Sequence, residues 1–348
     1  MSHPLARLAR RSIPFATGRS ALAALLLATA ASHAIAQERS KPGPLPPPSG
    51  ASGQAQPTAV KGGLAATSLL LEVGGVPMAV RRCESIGQRL AFTTSRTGAS
   101  RERAVAAAEC EPLELQLPFA LDAALSKWIA EALAGAPRRQ DVALLELDRF
   151  GATEGGYASR LREVGVDALL IPKLDASSKE AFEWGVRLGG ATSLRFEPLG
   201  GKAPAALGNK QKAQLVANFR VRIDNVSCEY VTTIGPIEAS CPLPPTGEKD
   251  GGSRATGAVS IAPIEVRFAD RDAADWIRWF DDAAAKGSGA ARAVTIELLD
   301  ATMKEVTATL TLSGALPNLL RRDFGEGGRP GFTAELTASA LAITFPKG

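Results

Sequence analysis

Two stretches, VALLELD at residues 142–148 and VTIELLD at 294–300, decide how this chain reads. Both are short apolar runs of strand length rich in β-branched and aliphatic residues, and both end on Leu-Asp. Working outward from them, other segments match in the same order. Val73-Gly74-Gly75-Val76 matches Ile223-Asp224-Asn225-Val226, and Ile86-Gly87 matches Ile234-Gly235. PLEL at 112–115 matches PIEV at 263–266, Trp128-Ile129 matches Trp276-Ile277, and Leu194-Arg195-Phe196 matches Ile343-Thr344-Phe345. The offsets stay between 148 and 152, so a tandem duplication explains the set better than six coincidences do. The repeats are residues 64–196 and 215–348, joined by a polar, small-residue linker, 197–214.

Periodicity gives the content of each repeat. Phe219 to Ile223 alternates apolar and polar and ends at an Asp224-Asn225 turn. Ile264–Phe268, Val294–Leu298, Val306–Leu312 and Leu336–Phe345 alternate likewise, which predicts antiparallel strands with one wet face each. One helix interrupts them. Asp270 or Asp272 can cap it, Trp276, Trp279, Phe280 and Ala283 share a face, and Gly287 ends it. The first repeat has the same helix after Asp122, with Leu125, Trp128, Ile129 and Ala132 on one face and Gly135 as its stop. Trp128 and Trp276 are read as equivalent anchors of these helices. The expected fold is mainly β, two tandem antiparallel β-barrel or sandwich domains with one helix each.

Residues 1–36 read as a removable export signal. Arg7, Arg10, Arg11 and Arg19 precede an apolar run from Ala21 to Ala31, and Ala34-Ile35-Ala36 offers cleavage between Ala36 and Gln37. The expected location is therefore periplasmic or secreted, by the general route rather than the twin-arginine one, with no membrane span in the mature chain. Residues 37–63 are a Pro/Gly-rich tether. Cleavage removes four arginines and no acid, so Lys+Arg falls from 40 to 36 against 36 Asp+Glu. A formally neutral mature chain gives no footing for specific nucleic-acid binding. Both histidines, His3 and His33, go with the signal.

That loss removes the commonest general base and metal ligand. No GxSxG elbow, P-loop or CxxC spacing occurs, so no catalytic, cofactor or metal site is assigned and an enzyme is not expected. The acids Asp270, Asp272, Asp275, Asp281 and Asp282 read as a solvated helix face and cap rather than a calcium loop. Four cysteines in an oxidising compartment suggest two disulfides, and small buried thiols are the alternative. Because each repeat holds two, the pairs expected are Cys83–Cys110 and Cys228–Cys241.

In the second repeat the order of elements is FRVRIDNV, TTIGP, a long variable loop, PIEVRF, the DWIRWFDDA helix, VTIELLD, TATLTLSGALPNLL and TAELTASALAITF. This order resembles the tail-tube proteins of contractile-tailed phages, whose fold the haemolysin-coregulated secretion-tube proteins share. Ala315-Leu316-Pro317 stands where that family has an Ala-x-Pro step, and the first repeat shows the likeness more faintly at residues 167–172. The resemblance implies barrels that join edge to edge, six to a ring around a channel. Three two-barrel chains would then form a pseudo-hexameric ring, with the chain's partner being itself. Loops at about 94–103 and 240–256 would fall at the family's inter-ring loop. The cleavable signal and the cysteines are departures from that family, and an exported, monomeric binding or scaffold protein is the second reading.

Overall fold

The computed structural model describes residues 68–97, 100–147, 156–200, 213–243, 258–324 and 330–346. The signal segment with its Ala36–Gln37 cleavage position, the tether and most of the linker lie outside the described residues. No helix among the described residues is long and apolar enough to cross a membrane.

The first half supplies β1 (Ser68–Val73), β2 (Val76–Val80), β3 (Arg82–Cys83), β4 (Gln88–Thr97), β5 (Ser100–Cys110) and β6 (Leu113–Pro118). Helix α1 (Ala123–Leu133) follows, then β7 (Gln140–Leu147), β8 (Tyr157–Ile171), β9 (Leu174–Asp175), β10 (Glu183–Gly189) and β11 (Ser193–Pro198). The second half supplies β12 (Phe219–Ile223), β13 (Val231–Ile234), β14 (Ile237–Ser240), β15 (Ser260–Ile261) and β16 (Ile264–Ala269). Helix α2 (Ala273–Lys286) precedes β17 (Arg292–Leu299), β18 (Val306–Asp323), β19 (Gly331–Thr337) and β20 (Ala340–Thr344).

Strand pairing repeats between the halves. The first runs β2-β1-β7-β8-β10-β6-β3 with β11 also on β8; the second runs β12-β17-β18-β19-β16-β13 with β20 also on β18. A single bridge, Ile223 to Val226, stands where β1 and β2 form a hairpin. The first sheet curls until β2 lies against β6, and the Arg81 amide donates to the Gln116 carbonyl at 2.8 Å, nearly closing a barrel. Alternation accounts for the strands facing the core: β12 reads buried-exposed-buried-exposed-buried, and β6 starts the same way. β7 departs from the one-wet-face expectation. Val142 to Leu145 are all buried, because Ala143 and Leu145 join Leu70, Leu147 and Ala158 in a second small core on the opposite face.

The longest strands turn the barrel corner. TATLTLSGALPNLL forms no break at Pro317; it lies inside β18, which pairs with β17 and β20 first and with β19 afterwards. Pro317 sits at a register shift, where a missing N–H costs no ladder bond. The bend is made at Gly314, whose φ is +62°. Its counterpart in β8 is Glu163, a non-glycine residue at φ +52°. Asp141 Oδ1 accepts from the Glu163 amide at 2.9 Å and Arg139 donates to the Glu163 carbonyl at 2.7 Å, and these bonds hold the left-handed kink. An L-residue there costs roughly 1–2 kcal/mol that glycine does not. Glu163→Gly is therefore expected to raise the denaturation midpoint, by about 1 kcal/mol of stability; a lowered midpoint in chemical denaturation would refute the strain.

Both helices carry the expected faces with a different correspondence. Asp122 caps α1, accepting from the Ala124 amide at 2.7 Å, and Gly135 and Gly287 end the two helices at φ +75° and +55°. Trp128 and Trp276 are both buried, yet they are not equivalent. The Trp128 indole N–H donates to the carbonyl of Arg138, two residues before β7. Two residues before β17 the carbonyl is that of Ala290, and its donor is Trp279, at 2.9 Å. Ile129 is buried while Ile277 is 40% exposed, which the Trp128–Trp276 match does not allow. Trp276 takes the place of Leu125 and donates instead to the Ser227 carbonyl at 2.9 Å. Strand pairing shifts two more of the six sequence matches. Cys83 and Ile234 occupy equivalent pairs, opposite Leu115 and Val266. Leu194, opposite Leu161, corresponds to Leu341, opposite Leu312.

Candidate self-association edges

The halves are joined through strand edges. Ile237 to Ser240 of β14 pair antiparallel with Ile171 to Ala168 of β8, and Ile234 and Thr233 of β13 pair with Leu174 and Asp175 of β9. Backbone bonds extend the seam: Cys241 N–H to Asp167 O at 2.7 Å, Ala176 N–H to Thr232 O at 2.9 Å, and Phe182 N–H to Gln214 O at 2.7 Å. Main-chain pairing of this kind adds a strand to an existing sheet and satisfies groups that an open edge leaves to water.

Side chains make the seam dry. Leu169, Ile171, Ile237, Ala239 and Cys241 are all buried. Leu243 lies over Gly165 and Gly190, where an added Cβ would sit 2.3 Å and 3.2 Å from its nearest Leu243 methyl carbon. Phe345, near the C-terminus, packs its ring edge-on to Trp184 of the first half, with centroids 6.0 Å apart. Arg187 bridges Asp167 at 2.7 Å and reaches Glu238 across the seam at 3.9 Å. The end of the linker is also tied down. Gln214 is buried, and its amide donates to the Leu299 carbonyl at 2.5 Å.

Among the described residues the same edge of the second half has no partner strand. Leu319 to Arg322 of β18 correspond to Ala168 to Ile171 of β8, since both long strands shift register one residue earlier, at Asn318 and Asp167. This stretch pairs with β19 on one side and with no strand among the described residues on the other. At the opposite end of the chain, β4 and β5 form a two-stranded sheet paired to nothing else described, where the sequence suggested a loop at 94–103. Leu90 and Phe92 on β4 are 48% and 58% exposed, and Leu319 is 40% exposed. Apolar residues on open sheet edges are what self-association covers.

The remaining candidate residues fall in separate surroundings. All four cysteines are free thiols; neither Cys83–Cys110 nor Cys228–Cys241 is joined. Cys241 lies in the seam beside Asp167. Burial, then that carboxylate, pushes its thiol up to about 11. Cys228 lies near the start of α2, where burial and then Asp272 push it up to about 12. Burial also raises Cys83 and Cys110, at the base of the β4–β5 hairpin. Asp272 is not solvated, as the sequence suggested, but almost fully buried. It makes no helix cap; its carboxylate accepts from the Ser227 hydroxyl at 2.5 Å and the Tyr230 amide at 2.7 Å. Asp275 adds a bond from the Ser227 amide at 3.1 Å. No signal in the sequence marked this role, because the residues bound are more than 40 positions away. Among the described residues no group of three or more His, Cys, Asp or Glu is placed to hold a metal.

No family model and no curated protein matches the chain. Among solved structures it is similar to one described as the cryo-EM structure of the anti-feeding prophage baseplate, 6-fold symmetrised. That likeness covers 37% of this chain and 91% of the other, at 13% identity and a TM-score of 0.30.

Proposed function

We propose that the chain is a structural, self-assembling protein of tube or ring type, in which three two-barrel chains close one ring. The observation that carries this reading is the seam between β14 and β8. One barrel already holds its neighbour by strand addition, and the matching edges of β18 and β4 pair with no further strand among the described residues. Such an interface is heterologous: one surface meets a different one, so repetition gives either a closed ring or a filament. Six barrels per ring is the number that the resemblance to tail-tube proteins implies, and two barrels per chain turn it into three chains. The work is then mechanical, with no cofactor and no catalytic step, outside the cytoplasm if residues 1–36 act as an export signal.

Light scattering on the purified chain tests the reading. The expected mass is three times that of one chain, independent of dilution over the micromolar range. A single-chain mass would instead assign the fold to a monomeric exported binding or scaffold protein.

A further inference from the structure

The seam inside the chain specifies, residue by residue, how one chain would hold the next. We infer that Ile86 to Arg89, at the root of the β4–β5 hairpin, pair with Leu319 to Arg322 of β18 in a second copy. This assignment rests on the ring reading above and names its interface.

The register follows from matched hydrogen bonds, not from sequence likeness. In the second half, β15 pairs with β14 through Ile261–Ala239 and Ser260–Ser240. In the first half, Cys110 pairs with Gln88 and Glu109 with Arg89. The strand after each hairpin starts at Ile264 or at Leu113, so Ile261 and Cys110 stand at the same distance before it. Ala239 therefore corresponds to Gln88, and Ile237 to Ile86. A further bond agrees: the Ala262 amide donates to the Glu238 carbonyl at 2.9 Å, and the Glu111 amide donates to the Gly87 carbonyl at 2.9 Å. Ile86 and Gly87 are the segment that would lengthen into strand once paired, as Ile237 and Glu238 have done on β8.

On that register Arg89 faces Leu319, Gln88 faces Leu320, Gly87 faces Arg321 and Ile86 faces Arg322. Leu90 takes the place of Cys241, whose amide donates to the Asp167 carbonyl, so the Leu90 amide would donate to the carbonyl of Asn318 in the next copy. Phe92 takes the place of Leu243 and would lie over Leu316, the counterpart of Gly165. This explains why Leu90 and Phe92 are large and exposed here while Cys241 is buried. The second half has its partner in the same chain, and the first half has none among the described residues. It also explains a contrast between two equivalent strand ends. Ala168 is covered by β14, whereas its counterpart Leu319 lies open.

A cysteine pair reads the contact directly. Residues opposed across antiparallel strands have Cα atoms about 4.5–5.5 Å apart, within disulfide reach. The variant Arg89→Cys with Leu319→Cys, in a Cys110→Ser background that removes the neighbouring thiol, is oxidised and run on a non-reducing gel. Covalent species of two and three chains are expected, with neither single cysteine variant giving the three-chain band. Leu90→Asp, at an exposed site, is expected to convert the three-chain mass to a single-chain mass while leaving the far-ultraviolet circular dichroism of the chain unchanged. A three-chain mass that survives Leu90→Asp, with no cross-link in the cysteine pair, would overturn this interface and leave the ring reading standing. A single-chain mass for the unaltered protein would overturn both.

Discussion

Replacing Trp279 by alanine is expected to destabilise the second half by about 3–5 kcal/mol, the range for removing a fully buried large aromatic side chain. Trp279 has no exposed surface, and its ring lies 5.6 Å from that of Trp276 and under the Arg292 guanidinium at 5.4 Å. Its indole N–H also holds the Ala290 carbonyl where the chain turns from α2 into β17. Truncation opens a cavity and leaves that buried acceptor without its partner, and the two costs fall on the same site. Trp279→Phe keeps most of the apolar volume and loses the donor, so it should cost less than Trp279→Ala but more than nothing. Ile277→Ala, two positions away on the open face, should stay within about 0.5 kcal/mol of the parent. Denaturant midpoints give all three values. A larger cost at 277 than at 279 would show that the helix sits in the register of the Trp128–Trp276 match.

The second large effect is expected at Asp272. Asp272→Asn keeps the shape but halves the acceptor capacity available to the Ser227 hydroxyl and the Tyr230 amide, which should cost about 1–3 kcal/mol. It also removes a negative charge beside Cys228. With burial the larger cause and Asp272 the next, the Cys228 thiol is held at about 12, above the ordinary 9.0. The thiol is therefore neutral in the folded chain where the unfolded chain has begun to ionise. Its contribution to stability is complete below about pH 9 and is lost as pH rises through about 12. Asp272→Asn lowers the folded value, so Cys228 should alkylate faster at pH 9 and the alkaline loss of stability should shrink. Ser227→Ala, which loosens the loop without altering charge, separates the two causes. Unchanged alkylation in Asp272→Asn would show that the carboxylate does not act on the thiol.

Sequence alone determined what is local or periodic. Alternation along Phe219–Ile223 and Ile264–Phe268 marks strands because their side chains must choose between core and water every second residue. Leu125, Trp128, Ile129 and Ala132 mark a helix for the same reason at a period of 3.6. Six matched segments in one order suggest a duplication, and the two halves share one strand order. Tertiary structure alone decided which tryptophan answers which. Trp276 and Trp279 stand three apart on one buried face, so periodicity favours both equally. Only the carbonyl each indole meets, that of Ser227 or of Ala290, tells them apart. Asp272 reads as a surface acid by its neighbours in the chain and is buried by partners far from it in sequence. The seam lies furthest from view, because a strand edge is a property of backbone groups that every residue carries. Whether the edge at Leu319–Arg322 is open depends on which strand the fold brings beside it.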